Sequence, residues 1–223
     1  MSKIIIGVPG YKIGEKTFSY GVGANHLEYI ASFEGVSPRI LMPDEEIAKI
    51  DMLYLPGGAD LFPGSYGATP GFKTTNPDLF KQFFYDYKLQ NYIGKIPIFA
   101  VCLGFQQLAV KLGASLIQNL LGHPQSNERG EGAHEITLSE TAKMLIGNPK
   151  KYEVNSHHHQ GVSMANLPKE FIPLAYYGEK KNAILEAFTH EKYAVYAVQW
   201  HPEEYYDLLA EEMFKIAINS IQK

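Results

Sequence analysis

Through the first half of this chain, short apolar runs alternate with helix-patterned segments, and each run stops at a turn signal. Ile4-Ile5-Ile6-Gly7-Val8 closes at Pro9-Gly10. Arg39-Ile40-Leu41-Met42-Pro43 is a second run, and Met52-Leu53-Tyr54-Leu55-Pro56 enters Gly57-Gly58. A fourth, from Ile96 to Val101, ends at Cys102. Runs without polar alternation are the pattern of strands buried on both faces, as in a parallel sheet covered by helices. The intervening segments supply the helices. One spans Ala24 to Phe33, and a short one is opened by the acids Asp44-Glu45-Glu46 before Ile47. Pro77 to Ile93 forms an aromatic-rich helix, and Phe105 to Leu112 a further one closed by Gly113. Phe80, Phe83, Phe84 and Tyr87 lie at helical spacing and read as a core stripe.

The second half is richer in strands: His134 to Leu138, Phe171 to Tyr176, Ala183 to Phe188 and Tyr193 to Gln199. A terminal helix runs from Glu203 to Ile221. Leu61 to Thr75 has no period and reads as an irregular loop. No repeat, low-complexity tract or linker interrupts the 223 residues, so one α/β domain over 1–223 is the simplest account.

The last residue of the fourth run is the only cysteine of the chain. Cys102-Leu103-Gly104-Phe105-Gln106 has the form of a nucleophile elbow: a strand presents the side chain, a tight turn lifts it clear, and the next helix points its N-terminus at the sulfur. The helix dipole and free N–H groups there favour a thiolate and can hold an oxyanion. A small buried apolar residue is the plainer alternative for a free cysteine.

A second strand ends in His201-Pro202-Glu203. Residues two apart on extended chain share a face, so Glu203 can hold one nitrogen of His201 and leave the other for the thiol. Nucleophile, base and orienting acid are then all present. Alone, His-Pro-Glu would serve equally as a surface turn. The third element, Gly57-Gly58 before Ala59-Asp60, lets backbone approach a ligand closely. Together with the Leu103 N–H, an N–H of Gly57 or Gly58 would form a two-donor oxyanion hole. Asp60 is read as holding this loop.

These three elements, in this order, resemble a class I glutamine amidotransferase domain. Two further stretches, Val154-Asn155-Ser156-His157-His158-His159-Gln160-Gly161 and Gly113-Ala114-Ser115-Leu116-Ile117-Gln118-Asn119, are similar to segments of the peptidase C26 branch, which includes γ-glutamyl-γ-aminobutyrate hydrolase. The resemblance covers nearly the whole chain. It implies a three-layer α/β/α sandwich of the flavodoxin-like kind with its site at the C-terminal ends of the central strands. It also implies a catalytic Cys102, His201 and Glu203, an oxyanion hole from Gly57 or Gly58 with Leu103, and a glutamyl-thioester mechanism without a cofactor. Gln106 and the segment with Asn155, Ser156, His157 and His158 would line the substrate side. Three departures stand on the leaving-group side: Cys-Leu-Gly replaces the frequent Cys-Arg-Gly, an Asp-x-x-Arg-Asp-x-x-Glu stretch is not recognisable between Asn76 and Asn91, and the Leu61 to Thr75 loop is particular to this chain.

Three activities follow as expectations: a free-standing hydrolase of a small γ-glutamyl compound, a glutaminase that passes ammonia to a synthase partner, or an inert binding module on the same scaffold. The net charge of -4 gives no reason to expect nucleic acid or an anionic membrane as partner. The lone cysteine fits a reducing compartment, and the N-terminal apolar run is too short for a signal peptide, so a cytoplasmic location is expected. A homodimer is the default oligomer. Consecutive residues of extended chain point to alternating faces. At most two of His157, His158 and His159 could therefore converge on a metal, and none is expected.

Overall fold

The computed structural model describes residues 3–13, 19–42, 49–71, 77–179 and 182–221. In chain order the strands are β1 (Ile4–Pro9), β2 (Tyr11–Ile13), β3 (Ser19–Gly21), β4 (Val36–Leu41), β5 (Met52–Leu55), β6 (Ile98–Val101), β7 (Leu116–Ile117), β8 (His134–Glu135), β9 (Thr137–Leu138), β10 (Glu153–Val154), β11 (Gly161–Ser163), β12 (Phe171–Tyr177), β13 (Ile184–His190) and β14 (Val195–Val198). The helices are α1 (Ala24–Ala31), α2 (Leu79–Tyr92), α3 (Leu103–Lys111), α4 (Glu140–Ile146) and α5 (Leu208–Ile221).

The continuous apolar runs become the centre of one sheet in the order β4-β1-β5-β6-β14-β13. The pairs from β4 to β14 are parallel, and β13 is antiparallel to β14. Period-two alternation divides each run between two cores. Met52 and Tyr54 of β5, with Phe99 and Val101 of β6, join Phe214, Met213 and Ile30 on the face covered by α1 and α5. Leu53, Leu55, Ile98 and Ala100 join Tyr85, Leu89, Phe105 and Leu108 on the face covered by α2 and α3. The result is the three-layer, flavodoxin-like α/β fold, with a mixed rather than all-parallel sheet.

The antiparallel half turns on β13. One edge pairs with β12; the other pairs with β11 at Ile184 and Leu185 and with β14 from Ala187 to Thr189. Glu186 sits where the partner strand changes, and β12 is irregular opposite it, on both sides of Ala175. The expected strand from His134 to Leu138 is broken at Ile136, because β8 pairs with β10 while β9 pairs with β12. Among the described residues no helix is long and apolar enough to cross a membrane.

Two further expectations change, and one cannot be compared. The helix opened by Asp44 lies outside the described residues, as does the end of the Leu61 to Thr75 loop. The aromatic stripe of α2 is not a core stripe: Phe83 is 72% and Tyr87 45% exposed, while Phe84 is buried; the Phe80 side chain is outside the described residues. The helix is rotated so that Lys81, Tyr85, Lys88 and Tyr92 face inward at helical spacing. Two lysines on that face conceal it from an apolar pattern. Finally, the terminal helix starts at Leu208, not Glu203. Asp207 stands before its first turn and accepts from Ala210 N (2.9 Å), Trp200 Nε1 (2.7 Å) and Tyr152 Oη (2.8 Å). Burial pushes its pKa up against these hydrogen bonds. Glu203 is thereby left in the connecting turn, free to face the sheet.

Asp207→Ala removes a helix cap and orphans a buried indole N–H. It is expected to cost about 2–4 kcal/mol in urea denaturation, whereas Asp207→Asn loses less.

Candidate active site

Three strand ends converge. At the end of β6, Cys102 has φ 49° and ψ -105°, a left-handed conformation and the only one at a non-glycine residue among the described residues. α3 begins at the next residue, so the sulfur stands over its N-terminus. α3 can start there because residue 104 is glycine: a Cβ on Gly104 would lie 2.4 Å from the Leu55 carbonyl oxygen of β5. At the end of β5, Gly57 approaches so closely that a Cβ would meet His201 Cε1 at 2.8 Å and Cys102 Cβ at 3.5 Å. Beyond β14 comes His201, whose backbone is gripped on both sides by one side chain. Its N–H donates to Asn155 Oδ1 (2.9 Å), and Asn155 Nδ2 donates to its carbonyl (3.1 Å).

His201 Nδ1 lies 2.7 Å from Glu203 Oε1, and the imidazole and Cys102 meet over Gly57. Burial opposes a charge on His201. The neighbouring Cys102 sulfur, the hydrogen bond to Glu203 and the Glu203 charge outweigh it and hold the His201 pKa well above the usual histidine value. Glu203 is itself fully buried; despite that desolvation, the hydrogen bond from His201 and the His201 charge keep its pKa low. His26, on α1, extends the line: its Nδ1 is 3.0 Å from Tyr54 Oη and 3.3 Å from Glu203 Oε1. Burial lowers its pKa to about 4, so it faces Glu203 as a neutral ring.

A cleft of about 460 Å³ opens over this group, walled by Gly57, Gly58, Lys81, Cys102, His157 and His201 among others. Lys81 donates from Nζ to the Gly57 carbonyl (2.6 Å) and sits 4.1 Å above the Tyr11 ring. Burial lowers its pKa to about 8, against the opposing pull of Asp78 and Cys102. On the outer wall, Glu204 pairs with Arg129 and accepts from Asn25 Nδ2 (3.2 Å).

Of the residues read as substrate-binding, His157 lines this cleft. Gln106 is buried beneath it, donating to the Gln160 carbonyl (3.1 Å) and Gln199 Oε1 (3.3 Å). Asn155 is occupied with the His201 backbone, and Ser156 is fully buried. The three consecutive histidines go three ways: His157 toward Glu204, His159 onto Asp60 (2.9 Å), and His158 into the interior. Asp60 thus ties its loop to the 155–160 segment, as does Leu61 N donating to Gln160 Oε1 (3.0 Å). Sequence reasoning missed His26 and Lys81. Neither stands in a motif; the signal available was a lysine at a core position of α2, and for His26 there was none.

A buried thiol at a strand end, a histidine beside it and a carboxylate behind the histidine, on this sheet, define the class I glutamine amidotransferase-like fold. A solved protein of Thermoplasma acidophilum described as a GMP synthase subunit superposes over 100% of this chain and 96% of its own, with a TM-score of 0.68 at 21% identity. The peptidase C26 family matches residues 21–203, and the chain belongs to that family. Among curated relatives, the γ-glutamyl-γ-aminobutyrate hydrolase PuuD of Escherichia coli is 29% identical over 72% of this chain and 66% of its own length. The glutamine-hydrolysing GMP synthase subunit of Archaeoglobus fulgidus is 26% identical over 81% of each. The protein is a glutamine amidotransferase-like hydrolase.

The left-handed turn at residue 102 is strained for any side chain with a Cβ. Cys102→Gly is expected to be more stable than Cys102→Ala by about 1 kcal/mol in thermal unfolding, the reverse of the usual order for these two residues.

Proposed function

We propose that the protein hydrolyses the γ-glutamyl amide bond of a small γ-glutamyl compound, releasing glutamate and an amine. The observation that carries this reading is the convergence of Cys102 and His201 on Gly57, backed by the 2.7 Å bond from His201 to Glu203. In the first half-reaction the Cys102 sulfur attacks the γ-carbonyl carbon. The oxyanion is held by the N–H of Leu103 and that of Gly57 or Gly58. The C–N bond breaks as His201, carrying the thiol proton, hands it to the leaving amine. In the second, His201 takes a proton from water, the hydroxide attacks the thioester, and glutamate leaves as the thiol is restored. Glu203 orients the ring and stabilises its charged form. No cofactor enters these steps.

Lys81 is the cation we assign to a substrate carboxylate. It lies in the cleft wall beside the Gly57-Gly58 loop, and Gly57 occupies one of its three donors. Similarity to the Archaeoglobus fulgidus GMP synthase component favours one rival reading, a glutaminase that supplies ammonia to a synthase partner.

Glutamate release by the chain alone, from L-glutamine and a panel of γ-glutamyl amides, separates the two. Robust release from a conjugate but not from glutamine supports the hydrolase; release that stays feeble until a synthase is added supports the rival. In either case Cys102→Ala should abolish turnover in a folded protein. Glu203→Gln should lower kcat by up to about 10,000-fold, less completely than loss of the nucleophile. Turnover by Cys102→Ala would overturn the assignment.

Lysine binds an anion only when protonated, and Lys81 loses its proton as pH rises through about 8. KM is therefore expected to climb above that pH with kcat little changed. Lys81→Met should raise KM at neutral pH and flatten this limb, and Lys81→Arg should shift it upward. An unaltered limb in Lys81→Met would remove Lys81 from substrate binding.

A further inference from the structure

Away from the catalytic triad, three histidines from distant parts of the chain meet around Glu186. His158 Nε2 lies 3.2 Å from His123 Nε2 and 3.8 Å from Glu186 Oε2. His123 Nε2 is 3.7 Å, and His134 Nε2 3.8 Å, from Glu186 Oε1. The Glu186 side chain is fully buried, and neither of its oxygens has a hydrogen-bond partner among the described residues. The same holds for both ring nitrogens of His134 and for His123 Nδ1. Buried polar atoms are almost always satisfied, and a fully buried carboxylate without a partner is among the costliest groups a fold can carry.

The spacing is too long for a carboxyl–imidazole hydrogen bond but suits ligands of one cation. Two ligands about 2.0–2.2 Å from a common ion stand roughly 2.8–3.8 Å apart at interligand angles between about 90 and 120°. The orientation of His158 agrees. Its Nδ1 is 2.9 Å from the Gln160 carbonyl, an arrangement that places the proton on Nδ1 and leaves the Nε2 lone pair facing Glu186. A second bond from ring N–H to a backbone carbonyl is the usual support of a metal-bound histidine. The backbone accounts for the aim of Glu186, since it occupies the point where β13 changes partner opposite the irregularity in β12. His123 also lines a surface depression of about 510 Å³ beside Leu121 and Tyr177, a route from solvent.

We propose that His123, His158 and Glu186 form a structural site for a divalent transition metal of the zinc class, distinct from the catalytic cleft; their ligand atoms all lie within 4.8 Å of one another, with His134 beside Glu186. Two imidazoles and one carboxylate, with no thiolate, suit zinc and its neighbours rather than calcium or magnesium. The ion joins the loop after β7, the 155–160 segment and β13. Through that segment it steadies Asn155, which holds the His201 backbone. Sequence allows two of the three consecutive histidines to converge; His158 alone does, and its companions arrive from elsewhere in the chain.

The test uses the tag-free full chain, stripped with chelator, exposed to zinc chloride and desalted. Elemental analysis should find one zinc per chain in the wild type and in Cys102→Ser, and the melting temperature of both should rise with zinc by several degrees. Glu186→Gln should lose the metal and the thermal shift, and so should His123→Asn, which leaves Glu186 in place if the first variant does not fold. X-ray absorption of the wild-type zinc complex should show nitrogen and oxygen ligands at about 2.0–2.2 Å and no sulfur near 2.3 Å. The proposal is overturned if the folded wild type retains no zinc or if absorption shows a sulfur ligand. Loss of zinc in Cys102→Ser, or undiminished zinc in a folded Glu186→Gln or His123→Asn, overturns it equally.

Discussion

The site depends on one close approach: the first turn of α3 lying against the end of β5. A Cβ at residue 104 would stand 2.4 Å from the Leu55 carbonyl oxygen, so the helix start and the neighbouring strand end are nearly in backbone contact. That proximity brings the Gly57-Gly58 loop beside Cys102 and sets the donors at the α3 N-terminus across from it. It also forces the chain through a left-handed conformation at residue 102, where the cysteine takes the strain itself. Any larger residue at 104 would part the two backbones.

The second constraint is electrostatic. Glu203 is buried without solvent, yet it remains the anionic end of a line that runs through His201 to Cys102. It does so because two histidines of different character face it. The sulfur and the carboxylate together raise the pKa of His201, whereas burial lowers that of His26. Tyr54, at the centre of β5, fixes His26 from behind and so links this line to the core.

Much of this arrangement was legible in the sequence, for identifiable reasons. The central strands announced themselves because burial on both faces demands unbroken apolar runs. Cys102 and the His201-Pro202-Glu203 turn were legible because each depends on neighbours along the chain. What escaped was whatever depends on contacts across it. The inward face of α2 was misassigned because Lys81 and Lys88 occupy it; exposed Phe83 and Tyr87 then looked like the core side. The start of α5 was misplaced because Asp207 caps it with the help of Trp200 and Tyr152, neither adjacent in sequence. Asn155 and Gln106 carried motif-like surroundings, but their buried hydrogen bonds place them behind the cleft rather than in it. Convergence of His123, His134 and Glu186 is a property of the folded sheet alone.

The grip of Asn155 on both sides of the His201 peptide has a consequence for how the cleft can change shape. Two residues further along the same segment, His157 forms part of the cleft wall. A shift of the wall that moves this segment also moves the anchor of His201, while the strained turn at Cys102 does not follow. The shape of the cleft and the alignment of His201 with Cys102 are therefore mechanically geared in this chain.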